Sequence, residues 1–195
     1  ILFFKIKMKK FTIDKTELDG VLILTPRVFS DERGYFCETH NMSTLLELDF
    51  NVEFVQDNES KSKKNVIRGL HYQWTPPMGK LVRVISGAIV DVVVDIRKDS
   101  PTYGDHLKFH ISSENKKQVW VPPGFAHGML SLEEDTIVSY KCSEYYNPEG
   151  ESGLNPFDPR LNIDWGVRDK QRDIIVSKKD LVAKSFEIYD ENPRF

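Results

Sequence analysis

The segment KLVRVISGAIVDVVVDIR, residues 80–97, restricts the fold of this chain more than any other feature. From residue 88 onward its side chains alternate. Ala88, Val90, Val92, Val94 and Ile96 share one face, and Ile89, Asp91, Val93, Asp95 and Arg97 share the other. A period of two is that of a β-strand, whereas an amphipathic helix repeats roughly every 3.6 residues. Ser86-Gly87 precedes the pattern and predicts a turn or bulge there.

The same alternation recurs over residues 107–112 and 137–142, and a short apolar run at 119–121 ends at Pro122-Pro123-Gly124. Helical patterns are short, and we expect helices only over Ser43–Leu48 and Ser177–Ser185. Many strands, few helices and frequent turns predict an all-β sandwich, barrel or jelly roll. Closing such a sheet creates a pocket walled by alternate residues of each strand. Inward-facing polar side chains are therefore the candidates for chemistry.

Length and composition indicate one soluble globular domain. The 195 residues are 39% hydrophobic and 29% charged, which suffices to bury a core without metal or disulfide. The net charge of -3, with no long basic block, gives no sign of a nucleic-acid partner. Cys37 and Cys142 match neither a C-x-x-C pair nor a zinc spacing. We therefore expect two reduced thiols in a cytoplasmic protein.

The first eight residues, ILFFKIKM, are too short for a transmembrane helix and lack the cleavage region of a signal peptide. Met8 followed by two lysines is typical of a natural chain start. We expect residues 1–7 to be an extension without a functional role and residues 8–195 to form a single domain. No contact with a membrane is predicted.

Three strings are rich in functional groups: FVQDNESKSKKNVIRGLHYQ (54–73), WVPPGFAHG (120–128) and YKCSEYY (140–146). Together with TPRVFSDERGYFCE (25–38), GKLVRVISG, DIRKDSPTYG, SSENKKQ and the late SKKD, they occur in an order that resembles the dTDP-4-dehydrorhamnose 3,5-epimerase family. The resemblance covers roughly residues 14–186. It implies a cupin-like jelly-roll barrel with a few short peripheral helices, and a homodimer that exchanges N-terminal strands.

The same resemblance implies an isomerase that converts dTDP-4-dehydro-6-deoxy-D-glucose to dTDP-4-dehydro-L-rhamnose by inverting C3 and C5. A hydrogen beside a ketone is acidic because the resulting carbanion delocalises onto oxygen as an enolate. Inversion needs a base on one face of the carbon, an acid on the other, and charge or hydrogen bonds at the enolate oxygen. We expect neither a metal nor an organic cofactor.

His71 of RGLHYQ matches the position of the family's catalytic base. The residue type suits that role, because a neutral imidazole accepts a proton near physiological pH. The competing interpretation is a histidine hydrogen-bonded inside the barrel. Asp180 matches the carboxylate that pairs with this base, although Ser177-Lys178-Lys179-Asp180 also fits a capping box at a helix start. Tyr140 matches the acid on the opposite face; its alternative is a buried structural tyrosine.

The remaining candidates match positions at which the family contacts its substrate. Arginine and lysine suit a diphosphate and the attached sugar, and Lys80 and His127 suit the keto oxygen or the sugar. Tyr145 is a candidate for stacking on the thymine ring. The full set of predicted substrate-binding residues is Arg33, Glu38, Gln56, Asp57, Asn58, Arg68, Lys80, His127, Tyr145, Glu151 and Lys179.

Three alternatives remain open. After Glu151 the chain reads SGLNPFDPRLNIDWG, where some family members are rich in aromatic residues, and related enzymes invert C3 alone. A metal-dependent cupin would need an H-x-H pair, but Tyr72 and Gln73 follow His71. A binding module without activity would have lost one of His71, Tyr140 and Asp180, and all three are present.

Overall fold

The computed structural model describes residues 10–167 and 174–195. The predicted extension over residues 1–7 lies outside this range. Within it, two largely antiparallel sheets face each other, as the alternating pattern predicts. The first sheet has the order β1 (Phe11–Lys15), β2 (Leu22–Pro26), β10 (Gln118–Val121), β7 (Lys80–Ser86), β12 (Thr136–Cys142) and β5 (Gln56–Ser62).

The second sheet has the order β13 (Glu151–Gly153), β6 (Val66–Gln73), β11 (Phe125–Ser131), β8 (Ala88–Asp95) and β9 (His106–Ser112), and β14 (Ile175–Val176) pairs with β6 in parallel. A separate hairpin consists of β3 (Val28–Asp31) and β4 (Gly34–Cys37). Because β7 belongs to one sheet and β8 to the other, Gly87 forms the corner between them, with a φ of 80°. The predicted interruption at Ser86-Gly87 is confirmed.

Three apolar layers stack through the molecule. The layer between the sheets includes Val82, Val93 and Val138. The outer face of the second sheet is covered by the C-terminal part of the chain, including Trp165 and Tyr189. A third layer covers part of the first sheet's outer face with residues from 45 to 54. Consequently both faces of β8 are buried.

The helices are short, as expected. The predicted helix over Ser43–Leu48 is observed as α1, Met42–Leu46. The prediction over Ser177–Ser185 was too long, because α2 covers only Lys178–Leu181 and Ser185 caps a further helix, α3, Phe186–Glu191, which the sequence did not indicate. Among the helices of the described ranges, none is long and apolar enough to cross a membrane. Cys37 and Cys142 are both free thiols.

Candidate active site

A cavity of about 520 Å³ draws side chains from both sheets and from the C-terminal segment. Seven of the predicted site residues line it: Arg68, His71, Lys80, His127, Tyr140, Lys179 and Asp180. Apolar walls come from Ile67, Met129, Val138 and Val176. A mostly apolar concavity with a few converging polar groups is typical of a small-molecule site.

His71 and Asp180 form a hydrogen-bonded pair at this cavity. His71 lies on β6 and Asp180 on α2, and the distance from Nε2 to Oδ1 is 2.7 Å. The imidazole is 34% exposed, whereas the carboxylate is only 6% exposed. The second carboxylate oxygen accepts the Gly69 N–H at 3.3 Å. Because the carboxylate engages Nε2, it fixes the tautomer that leaves Nδ1 as the basic nitrogen.

Of the two interpretations of Asp180, the structure has the contact with His71 and one half of the capping box. The backbone N–H of Asp180 donates to Ser177 Oγ at 3.1 Å, which is the expected N-cap of α2. The side chain does not complete a capping box but turns to His71. Burial alone would raise the pKa of the Asp180 carboxyl, yet hydrogen bonds from His71 and Gly69 hold that pKa below its ordinary value. The carboxylate therefore stays ionised beside the imidazole.

Tyr140 reaches the cavity from the opposite wall. It lies on β12 of the first sheet, whereas His71 lies on β6 of the second. Val138 and Cys142, its neighbours at the same face of β12, are both buried, as the alternation predicts. Burial raises the pKa of Tyr140, so the phenol carries its proton at neutral pH.

Three further cationic or titratable groups line the cavity. Burial lowers the pKa of Lys80, whose strand β7 runs beside β12. Arg68 is held by Ser62 Oγ at 3.0 Å from its Nε and by the Lys61 carbonyl at 3.0 Å from its Nη2. His127, the cross-strand partner of His71, pairs with a fully buried carboxylate described below.

Glu151 and Lys179 meet at the rim of the cavity. Lys179 Nζ donates to Glu151 Oε1 at 2.6 Å, and the Tyr146 hydroxyl donates to the same oxygen at 3.0 Å. Burial would raise the pKa of Glu151, but hydrogen bonds from Lys179 and Tyr146 lower it overall. The pair links β13 to α2, which carries Asp180.

The other predicted contacts do not line this cavity. Arg33 projects from the β3–β4 hairpin with a side chain that is 84% exposed and pairs with Asp31. Glu38 pairs with Lys10 at 2.5 Å. Tyr145 is 67% exposed. For these residues a contact with substrate stays a prediction.

Strand β5 separates the predicted set Gln56, Asp57 and Asn58 by face. Gln56 and Asn58 are half-buried on the inward side, and Asn58 lies opposite Tyr140. Asp57 points outward and pairs with Lys141 at 2.8 Å. The side chain of Asp57 therefore faces away from the two amides.

Sequence reasoning missed Asp91 as part of the site. It is fully buried on β8, and its Oδ1 lies 2.5 Å from His127 Nε2. A carboxylate in the middle of an apolar strand needs a buried partner, so the VDVVVD string held a usable signal. Within residues 10–167 and 174–195, no group of three or more His, Cys, Asp or Glu side chains is arranged to hold a metal ion.

The two facing sheets that enclose this cavity form a cupin-like jelly roll. The family model described as dTDP-4-dehydrorhamnose 3,5-epimerase matches residues 15–187. A protein of that name from Methanothermobacter thermautotrophicus is 48% identical over 186 residues, which are 95% of this chain and 98% of the relative. The chain belongs to the dTDP-4-dehydrorhamnose 3,5-epimerase family and is an enzyme.

Solved structures of epimerases resemble this chain in fold. The dTDP-6-deoxy-D-glucose-3,5-epimerase of Legionella pneumophila, in complex with dTDP-4-keto-L-rhamnose, is 42% identical and matches with a TM-score of 0.87 over 93% of this chain and 95% of its own. A 3'-monoepimerase of Streptomyces bikiniensis, in complex with dTDP-quinovose, is 29% identical, with a TM-score of 0.82 over 90% and 88%. The fold is thus shared by structures described as double and as single epimerases.

Proposed function

We propose that this chain inverts C3 and C5 of dTDP-4-dehydro-6-deoxy-D-glucose and so produces dTDP-4-dehydro-L-rhamnose for dTDP-rhamnose biosynthesis. The observation that carries the proposal is the placement of the His71–Asp180 pair and of Tyr140 on opposite walls of one cavity. A base and an acid on opposite sides of a ring carbon are what inversion of that carbon requires.

In the proposed mechanism, His71 Nδ1 removes the proton from the carbon beside the ketone, and the Asp180 carboxylate stabilises the imidazolium. The electron pair of the broken C–H bond delocalises onto the keto oxygen, to which we assign the Lys80 side chain as hydrogen-bond donor. A hydrogen bond from Lys80 inside the cavity stabilises the enolate. Tyr140 then gives its proton to the opposite face of the carbon. Solvent restores the phenol and takes the proton from His71.

The nucleotide end of the substrate is assigned to the cationic rim. Arg68 is anchored through Nε and Nη2, and its remaining N–H groups suit a diphosphate. Lys179 precedes Asp180 on α2 and donates a hydrogen bond to Glu151. The exposed Tyr145 ring is available for stacking on thymine.

We also propose a cytoplasmic homodimer, consistent with the two free thiols. The β3–β4 hairpin pairs only with itself among the described strands and exposes Phe29, Tyr35 and Phe36. An exposed aromatic patch of this kind marks an interaction surface. If this hairpin reached a second subunit, it would bring Arg33 and Glu38 to that subunit's cavity. This would account for their distance from the cavity of their own subunit.

The second candidate is inversion of C3 alone, which is favoured by the similarity to the 3'-monoepimerase. Incubation with dTDP-4-dehydro-6-deoxy-D-glucose in deuterium oxide, followed by proton NMR, distinguishes the two. We expect deuterium at both C3 and C5 and accumulation of the L-rhamno product. Label at C3 alone would establish the single epimerase. If neither carbon took up label, both candidate functions would be refuted.

A further inference from the structure

The loop that joins β12 to β13, residues 143–150, carries two tyrosines with exposed rings, Tyr145 and Tyr146. Its backbone pairs with no strand of the described residues. Backbone N–H and C=O groups that leave a sheet still need hydrogen-bond partners, and outside a strand these come from side chains, other loops or water. The partners of this loop therefore decide how firmly the two rings are held.

A buried glutamine supplies the central partner. Gln73, the last residue of β6, is only 4% exposed. Its Nε2 donates to the Tyr145 carbonyl at 3.0 Å and to the Pro76 carbonyl at 3.0 Å. Its Oε1 accepts the Asn147 N–H at 2.9 Å. One side-chain amide thus holds the loop backbone on both sides of residue 146.

The orientation of the Gln73 amide has one assignment. A carbonyl oxygen can only accept a hydrogen bond and a backbone N–H can only donate one, so Nε2 faces the two carbonyls and Oε1 faces the N–H. Because the amide is buried, bulk water does not readily replace a partner that is lost, and an unsatisfied group is costly. The amide therefore fixes the path of the loop backbone.

Gln73 supports the loop without lining the cavity. It lies on the same face of β6 as His71, two residues earlier, yet only His71 is among the described residues that line the cavity. The loop has a second side-chain support, since the Tyr146 N–H donates to Gln56 Oε1 at 3.0 Å. Gln56 is a predicted substrate contact, whereas the burial of Gln73 separates it from substrate.

We propose that Gln73 is a positioning residue that orders the 143–150 loop in advance, so that the Tyr145 ring is in place before the nucleotide binds. A loop that is already ordered loses little conformational freedom on binding, and that loss would otherwise reduce the affinity. This inference rests on the proposed function, in which Tyr145 stacks on thymine. It deepens that function by assigning part of the nucleotide affinity to a residue outside the cavity.

Gln73→Met tests this role, because methionine fills a similar volume but has neither the amide hydrogens nor the amide oxygen. We expect the Kd for dTDP and the KM for dTDP-4-dehydro-6-deoxy-D-glucose to rise at least fivefold, with kcat within twofold of wild type. The affinity for inorganic pyrophosphate, which has no base to stack, should change less than twofold. Equal losses for dTDP and pyrophosphate, or a fall in kcat without a rise in KM, would overturn the proposal.

The same substitution in a Tyr145→Ala background identifies the ring through which Gln73 acts. Once the ring is absent, its position no longer matters, so Gln73→Met should change the dTDP affinity less than twofold. A loss as large as in the wild-type background would show that Gln73 does not act through Tyr145, and the assignment would be wrong.

Hydrogen exchange in the unmodified protein decides the question if Gln73→Met does not fold. A loop ordered in advance should protect the Asn147 amide, which donates to Gln73, already in the free enzyme. We expect slow exchange of this amide with and without dTDP. Rapid exchange that becomes slow only with dTDP bound would show that the nucleotide, and not Gln73, orders the loop.

Glu149→Gln is the matched control, since Glu149 is an exposed residue of the same loop. Its Kd for dTDP and its thermal unfolding midpoint should equal those of wild type. If wild type binds dTDP but converts no sugar, the proposed function fails, and the role of Gln73 is still decided by the dTDP affinities. If wild type is active and Gln73→Met binds dTDP equally tightly, only the present inference fails.

Discussion

At the scale of single residues, Asp180 combines one half of the capping box with the contact to His71, which the sequence presents as alternatives. The helix cap uses its backbone N–H, and the pair with His71 uses its side chain. The two residues of the pair are 109 positions apart in the chain. No local spacing predicts such a contact, so only the resemblance to a family indicated it.

Asp180→Asn should therefore damage catalysis more than folding. The asparagine keeps the backbone N–H that donates to the N-cap residue Ser177, but it removes the charge that stabilises the imidazolium. We expect kcat to fall by about 10²- to 10⁴-fold, the usual range for disturbing general acid–base catalysis. Steady-state kinetics and thermal unfolding would measure this. A variant with a near-normal kcat would show that the carboxylate is only structural.

The pair formed by Asp91 and His127 marks the limit of residue-level prediction. His127 was assigned from its motif, whereas its partner lies on β8, in a strand interpreted mainly through its apolar residues. A strand pattern gives the face of a residue but not which neighbouring strand covers it. The sequence pattern therefore does not identify side-chain partners on neighbouring strands, such as β8 and β11.

At the scale of elements, alternation predicted the strands well and their surroundings less well. It placed Val138, Tyr140 and Cys142 on one face of β12, as observed. On β8 both faces are buried, so the pattern alone did not say which face meets the cavity. The helix α3 was missed because six residues are too few to show a helical period.

The same alternation, applied to β5, would have separated Asp57 from Gln56 and Asn58. The three residues were grouped because they are adjacent in a motif, yet a strand turns consecutive side chains to opposite faces. Motif membership and side-chain direction are thus independent constraints. Both are needed to decide which residues share a site.

Gly69 is required by the close approach of β6 to β11. Its φ is 115°, and an added Cβ would lie 2.6 Å from the His127 carbonyl oxygen and 2.7 Å from the Gly128 Cα. Because both obstacles are backbone atoms, Gly69→Ala must move a strand. We expect a loss of about 2 kcal/mol or more in the free energy of unfolding, measured with urea.

Gly166→Ala serves as the control for Gly69→Ala. Gly166 also has a positive φ, 74°, but a Cβ added there would meet no atom within 4 Å among the described residues. It should show only the cost of the backbone conformation, on the order of 1 kcal/mol. Equal losses in the two variants would mean that the contact between β6 and β11 is not what requires glycine at position 69.

At the scale of the whole molecule, buried carboxylates tie stability to pH. Asp95 is fully buried and accepts hydrogen bonds from Arg97, Ser100 and Thr102. Burial alone would raise the pKa of Asp95, but these donors lower it to about 2. A folded-state pKa below the unfolded value stabilises the protein above about pH 4, and this contribution is lost as the pH falls toward 2.

Asp95→Asn should therefore flatten the acid side of the stability profile. We expect wild type to lose on the order of 2 kcal/mol through this group between pH 5 and pH 2. The variant should be less stable at pH 7, and the difference should shrink on acidification. Urea unfolding at several pH values measures this, with the exposed neighbour Asp99 substituted by asparagine as a control that should follow wild type. A constant difference would refute the linkage.

The assignment of base and acid is tested most directly by deuterium wash-in with His71→Ala and Tyr140→Phe, using dTDP-4-dehydro-6-deoxy-D-glucose in deuterium oxide. We predict that His71→Ala exchanges no sugar proton and forms no product while still binding dTDP. Tyr140→Phe should still exchange the proton that His71 removes, but form the inverted product far more slowly. Exchange at the wild-type rate by His71→Ala would contradict the assignment of the base and with it the proposed mechanism.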